Sequence, residues 1–452
     1  MNYLERKKGI HFYINIKNFN QVVSAEEEAT SVVNHSIHAL DTYFSSIERY
    51  GKKHYRDVLT IEKITGARLH LYVTDDIVSA YDCVKNIVSY AYQLSKLINN
   101  KIPKYKTLKN FQIQVGAGFG CFYEFLFKHN DSKGIQDYGE LTTIGYAANY
   151  AAKLQGLAGV SRICISEDIY KVITDDIEIY SRCEDERIEK YGQNCYYDAS
   201  LSEISKAYNI SDNELSEVIE YAKKVNLTDM RFVGVRNQLS FADLSKTSGK
   251  KITGIPLFAD VRGFTSKFKD DDSNLEDMTV ETERILTSMY NVTMKHGGIH
   301  VQFQGDREEV LFHDIGNELC LENAIFAGMR MIDAINKQGV HIGVGADYGT
   351  LYATKIGARG EKDNILIGKT VISADRLEDA KADINQIAIS DDVYQRLLKI
   401  ESSLVSFFKK NSKGTYVATV GYQEYLAEME SIQHRNITKK GDYNGAWRMF
   451  NG

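Results

Sequence analysis

The chain has 452 residues, 43% hydrophobic, 26% charged and 11% aromatic, with a formal net charge of −6. That composition supplies cores for two or three ordinary soluble domains and excludes a disordered or low-complexity chain. The acidic balance argues against a nucleic-acid groove, which needs a basic surface, but leaves room for a compact anionic ligand held by a few local cations.

The start, MNYLERKKG, passes directly into a strand pattern and does not read as a signal peptide. GIHFYINIKNFN at 9–20 reads as an apolar strand and a turn, and a long amphipathic helix is expected from Ser31 to Tyr50. LTIEKITGARLHLYV at 59–73 alternates on both sides of a glycine turn, the mark of a β-hairpin. A second helix from Ile77 to Ile98 precedes a glycine-rich strand, FQIQVGAGFGCFYEF at 111–125. TTIGYAANYAAKLQGLA at 142–158 then reads as a strand end running into a helix. The stretch Ser202–Lys246 has helical periodicity and reads as a linker.

From residue 254 the layout returns. GIPLFADVRGFT at 254–265 is followed by a helix from Thr279 to His296 and a hairpin, IHVQFQGDREEVLF, at 299–312. Next come a helix from Glu318 to Gln338, the strand VHIGVGADYGTLYATKIG at 340–357, and the strand-to-helix segment LIGKTVISADRLEDAKA at 366–382. The most apolar long stretch, 319–335, carries Glu322, Arg330 and Asp333, so it is an amphipathic helix and not a membrane span. The six cysteines form no C-x-x-C pair and read as reduced thiols of a cytoplasmic protein. The pattern predicts duplicated α/β (α+β) domains, at 1–200 and 251–425, with a helical linker at 201–250 and a tail at 426–452.

An Asp closing an apolar strand commonly caps or turns the chain, and Gly-Asp in a hairpin commonly just makes the turn. Here Asp260 lies in F-A-D-V-R-G-F-T at 258–265, Gly305-Asp306 follows 46 residues after Asp260, and Gly368, Val371, Ala374 and Arg376 form G-x-x-V-x-x-A-x-R. This set closely resembles the class III adenylate/guanylate cyclases. The resemblance implies two tandem ferredoxin-like (palm) domains acting as an intramolecular pseudo-heterodimer. It also implies metal-holding positions at Asp260, Val261 and Asp306, for two ions of Mg2+ or Mn2+. Hard cations on carboxylates suit an in-line attack of a ribose 3′-oxygen on an α-phosphorus, because they acidify the hydroxyl and neutralise the leaving pyrophosphate.

The halves differ reciprocally at the positions this family uses. The first half has Asn15 and Ala67 where the second has Asp260 and Asp306. The base-contacting positions fall on Lys63 and Thr142, and the transition-state positions on Asn149 and Lys153. The second half has Gln302, Ile365 and Ile372 at three of these places, though Arg376 remains. One composite site is therefore nearly whole, with metals from the second half and base and transition-state contacts from the first. Lys153 departs from the family arginine, replacing a planar fork by a point charge. Arg359 and Lys190 are the candidate phosphate contacts.

A lysine donor beside a threonine oxygen matches the ring nitrogen and amino group of adenine or cytosine better than the edges of guanine or uracil. The chain's length, with little besides cyclase-like domains, is most like the pyrimidine cyclases of Pycsar antiphage systems, which make cyclic CMP or cyclic UMP for a partner effector. The expectation is a cytoplasmic cyclase converting CTP to cyclic CMP, with no nucleic-acid or membrane partner and one chain serving as its own pseudo-dimer. An adenylate cyclase and a catalytically dead nucleotide sensor are the alternatives. Polymerase or diguanylate-cyclase chemistry is disfavoured, since no G-G-D-E-F signature occurs.

Overall fold

The structure, a computed structural model, describes residues 4–30, 33–129, 138–173, 177–226, 231–233, 235–244, 248–264, 267, 274–315, 320–358 and 362–420. The first half contains β1 (Leu4–Ile16), α1 (Phe19–Thr30), α2 (Asn34–Tyr55), β2 (Leu59–Thr65), β3 (Arg68–Val73) and α3 (Ile77–Lys101). It continues through β4 (Ile113–His129), β5 (Tyr138–Gly145), α4 (Tyr146–Leu157), β6 (Arg162–Ile165), α5 (Glu167–Tyr170), β7 (Ser181–Cys183) and β8 (Tyr196–Ser200). Helices α6 (Leu201–Ile204) and α7 (Asp212–Lys223) follow, then β9 (Arg231–Val233), which pairs with the second half's first long strand.

That half contains β10 (Ser248–Val261), α8 (Leu275–Lys295), β11 (Ile299–Gln304), β12 (Arg307–His313), α9 (Leu321–Asn336), β13 (Ile342–Ala346) and β14 (Gly349–Ile356). It ends with β15 (Asp363–Ile367), α10 (Lys369–Lys381), β16 (Gln386–Ile389), α11 (Asp391–Lys399), β17 (Lys409–Lys410) and β18 (Tyr416–Thr419).

The two sheets have one topology. The first runs β2-β3-β1-β4-β6-β8-β7 with β5 on β4; the second runs β11-β12-β10-β13-β16-β18-β17 with β15 on β14. Register makes the duplication residue-specific. Asn15 pairs with Arg68 across β1 and β3, and Asp260 pairs with Arg307 across β10 and β12. Both outer hairpins carry a register shift, at 61/63 and at 300/302. Asn15 therefore answers to Asp260, Ala67 to Asp306, and Lys63 to Gln302.

Three expectations need correction. The helix expected from Ser31 to Tyr50 is α2, which starts at Asn34 and runs on to Tyr55, and a helix that was not expected, α1, precedes it. The Glu26 carboxylate accepts the backbone N–H groups of His35 (2.8 Å) and Ser36 (2.7 Å), so a side chain of the first helix satisfies donors in the opening turn of the second. The strand expected at 340–357 is broken into β13 and β14, whereas β4 runs unbroken. At the break, Asp347 accepts from the Tyr348 backbone N–H and the Ser390 hydroxyl, a local alternative to the ladder. The linker region also contributes a strand, β9, to the second sheet.

The halves exchange arms. Phe125, Phe127 and Ile144, on β4 and β5, belong to the core of the second half. Tyr352, Ile356, Ile365 and Ile367, on β14 and β15, belong to the core of the first. Each long hairpin thus buries its apolar face in the other half, and this dry contact fixes the relation between the sheets.

In both halves a helix lies directly on a glycine of a central strand. A Cβ at Gly116 would meet Gln155 N at 2.0 Å, and one at Gly345 would meet Glu378 N at 2.2 Å. Neither backbone can yield, so Gly116→Ala is expected to cost roughly 1–3 kcal/mol by overpacking and to push α4 off the sheet. Thermal unfolding checks this; an unchanged midpoint would refute the close-approach argument.

Candidate active site

Asp260 sits near the end of β10 and Asp306 in the two-residue turn between β11 and β12. Gly305 opens that turn at φ +69°, and Gly66 opens the first half's equivalent turn at +56°. A leading glycine in the left-handed region suits a tight hairpin. Because Asp260 pairs with Arg307, the two carboxylates come from adjacent strands one register step apart. Burial raises both to about 7; next in effect come the Asp306 charge at Asp260 and, after an opposing hydrogen bond, the Glu378 charge at Asp306. Val261 is buried beside Asp260, and its apolar side chain leaves only its carbonyl as a donor.

Two arginines frame the pair. Arg262 reaches Asp260 at 3.3 Å and Glu378 at 2.6 Å, and donates to the backbone carbonyls of Glu378 and Ala382. Gly343, the residue paired with Asp260, leaves space for that guanidinium: a Cβ there would lie 1.8 Å from its nitrogen. Arg307 bridges Asp375 (2.7 Å) and Glu378 (2.9 Å) over the Phe258 ring. Glu378 therefore organises both arginines, a role that its place on an amphipathic helix does not announce.

Two half-buried, mutually repelling carboxylates with only oxygen donors have the chemistry of a hard-cation site, so the residues present fit the divalent ions that the fold family implies. Among the described residues, three side chains of ligand type also lie close together: His11, Glu62 and His70. Its geometry is a hydrogen-bonded chain and not a chelate. Glu62 holds one nitrogen of His70 at 2.9 Å, and the other lies 2.9 Å from His11, with the ring between them. Glu62 also accepts from the Thr143 hydroxyl and backbone N–H, which braces the strand carrying Thr142.

Asn149, on α4, faces the turn of the opposite half, its Oδ1 4.0 Å from a Cβ built on Gly305. Lys153 lies one turn further along the same helix. Its charge acts on Asp185, after the larger influence of Arg187. Lys190 falls in the short helix 186–191 with no described side chain, and Arg359 and the tail at 426–452 lie outside the described residues.

Lys63 and Thr142 are brought together, 3.4 Å apart, but both are buried. The Lys63 ammonium donates to Glu140 Oε1 (2.9 Å), to the Phe303 carbonyl of the second half (2.8 Å) and to Thr142 Oγ1. All three of its protons are committed to protein acceptors. Glu140 also takes the Phe303 backbone N–H at 2.7 Å and contacts His300 Nε2 at 3.1 Å, while His300 Nδ1 lies 3.0 Å from Glu308. The pseudo-symmetric contact exists too: Asp363 accepts the Ile64 backbone N–H at 2.6 Å.

Sequence reasoning missed Glu140, His300 and Glu308. The signal was present as polar residues in otherwise apolar strands, but nothing local pairs them. Burial alone would lower His300; its hydrogen bonds to Glu140 and Glu308 outweigh that and raise it to about 9. A raised folded value means that its stabilisation is complete below the unfolded value of 6.5 and is lost as pH climbs through 9. Unfolding free energy is expected to fall by on the order of 1–3 kcal/mol between those limits. Denaturant titrations at several pH values check this, and a His300→Gln protein that keeps the full slope would refute it.

At the pseudo-symmetric position lies a cavity of about 320 Å3, lined by Asn15, Gly66 and Ala67 from one half and Ile372 and Asp375 from the other. Here Asn15 and Ala67 stand where the other place has Asp260 and Asp306, and Ile372 stands where it has Asn149.

No family model matches the chain. It is similar to a uridylate cyclase from Pseudomonas aeruginosa, 23% identical over 438 residues, covering 91% of this chain and 82% of that protein. An adenylate cyclase from Anabaena cylindrica is 25% identical over 230 residues, 47% of this chain and 44% of its own length, so the match spans under half of that protein. Among solved structures, a class III adenylyl cyclase-like ATP-binding protein from Pseudomonas aeruginosa superposes with a TM-score of 0.66 at 19% identity, covering 94% of this chain and 91% of the other. That likeness establishes the fold. Among the described residues no helix is long and apolar enough to cross a membrane.

Proposed function

We propose that this chain, a tandem relative of the class III nucleotide cyclases, converts a pyrimidine nucleoside triphosphate, CTP on our reading, to the 3′,5′-cyclic nucleotide and pyrophosphate. The observation that carries the proposal is Asn149 of one half against the Gly305–Asp306 turn of the other, while the mirrored place holds Ile372 opposite Gly66 and Ala67. One complete site and one dismantled site are what a single-site pseudo-heterodimer requires.

Asp260 and Asp306, with the Val261 carbonyl, would hold Mg2+ or Mn2+. Such ions supply charge neutralisation at the triphosphate and a lowered pKa for the ribose hydroxyl. Asn149 would orient the ribose and α-phosphate, and Lys153 would meet charge that builds on the phosphoryl oxygens, as a point charge and not a fork. Lys63 and Thr142 would read the base edge, as a donor for a ring nitrogen and an oxygen for an amino group, which cytosine presents at N3 and N4. Arg359 and Lys190 remain candidates for the outer phosphates. The cyclic product would serve as a messenger for a separate effector in antiviral defence.

UTP is the second reading, favoured by the name of the relative that matches across 91% of the chain. A threonine hydroxyl both donates and accepts, so it can also serve the uracil carbonyl. Incubation with each of the four triphosphates and Mn2+, with the product identified by mass, decides. Cyclic CMP supports the CTP reading, cyclic UMP replaces it, and cyclic AMP overturns the pyrimidine assignment. Thermal stabilisation by nucleotide with no pyrophosphate release would mark a sensor instead.

A further inference from the structure

We infer that Glu140 is a positioning residue of the base pocket: its single carboxylate aims the Lys63 ammonium and ties it to the strand that leads into the Asp306 turn. The inference rests on the cyclase reading above and deepens it.

The second sheet ends at β11, so the peptide groups along its outer edge have no strand neighbour. At Phe303 both are taken by the first half: Glu140 Oε1 accepts the N–H at 2.7 Å, and Lys63 donates to the carbonyl at 2.8 Å. Lys63 and Glu140 are also joined to each other at 2.9 Å. These three contacts close a ring across the two halves, three residues before Asp306. The base-facing lysine and the metal-facing turn are thereby held in one register.

The ring also decides which proton Lys63 can offer. Its bonds to Glu140 and Phe303 are short, and only the third, to Thr142, is long at 3.4 Å. That third N–H is the one a base displaces at least cost, entering between Lys63 and Thr142. Without Glu140 the ammonium would retain a single short bond and rotate among acceptors. On its far side, Glu140 Oε2 meets His300, itself held by Glu308 and, through that carboxylate, by the Thr293 hydroxyl at 3.1 Å. Glu140 thus has a fixed orientation of its own. The mirrored arm shows what the device lacks elsewhere: Asp363 takes the Ile64 N–H, but Gln302 stands where Lys63 would be.

The test is Glu140→Gln, an isostere that keeps an acceptor for Phe303 and removes the charge, with Glu140→Asp as the shortened acid. In the full chain, Glu140→Gln is expected to raise KM for the preferred triphosphate about tenfold with little change in kcat, and to narrow discrimination among the four bases. A residue that only braces the fold would lower the unfolding temperature and leave both KM and discrimination in place. Wild-type KM and discrimination in Glu140→Gln overturn the inference. A second readout needs no turnover: the NMR titration midpoint of His300 is expected to fall by about one pH unit or more in Glu140→Gln, and an unmoved midpoint overturns the clamp. Absence of any cyclic product from the wild type would sink the cyclase reading alone, leaving the His300 titration to judge the clamp.

Discussion

Asp306→Ala is expected to reduce cyclase turnover by roughly 10^2- to 10^4-fold, because a metal-assisted step loses several kcal/mol of charge stabilisation when one of its two carboxylates is removed. The same change is expected to stabilise the metal-free protein near neutral pH. Asp260 and Asp306 are each pushed up to about 7, by burial first, and Asp260 next by its neighbour's charge. Removing one of the two half-buried charges relieves the other. Mn2+ should raise the unfolding temperature of the wild type and leave that of Asp306→Ala unmoved, since ligand binding to the folded state alone stabilises it. Turnover within threefold of wild type would sink the metal assignment. A lowered unfolding temperature without Mn2+ would show that the carboxylate serves the turn.

The second large effect is expected at Lys63. Lys63→Met removes the buried ammonium that pairs with the largely covered Glu140 and leaves the Phe303 carbonyl without its donor. Stripping one partner from a buried ion pair costs about 3–5 kcal/mol, which urea unfolding would register as a shifted midpoint. The Lys63→Met, Glu140→Gln double variant should recover part of that loss, because the orphaned charge is gone. Strict additivity of the two single changes would show that the pair is not coupled. Activity in the double variant should stay low, since the proposed base contact is lost whether or not the fold recovers.

These two sites differ in how far they were legible in the amino-acid order. The candidate metal pair stood out because each carboxylate lies in a short local pattern: a strand-end aspartate followed by Val-Arg-Gly-Phe-Thr, and a glycine-led hairpin turn. The duplication was legible for the same reason, as hairpins and strand-to-helix turns are set by residues a few positions apart. The register between Asn15 and Arg68, and between Asp260 and Arg307, then made the residue-by-residue comparison of the halves structural. The first long helix was expected to start three residues too early because its start, at Asn34, is held by Glu26, a residue of the preceding helix. No cap within its own first turn marks that start.

The clamp around Lys63 was not legible. Phe303 is 240 residues from Lys63 and 163 from Glu140, and His300 is 160 from Glu140. No periodicity or spacing rule links positions so far apart. They meet because two arms exchange their apolar faces and bring an edge strand of one sheet against the hairpin of the other. The sequence by itself determined two copies of one fold and which copy keeps the carboxylates, since both follow from local pattern. Only the tertiary structure decided that the lysine's protons are already engaged and that one glutamate aims them. A buried ammonium must find its acceptors wherever packing brings them.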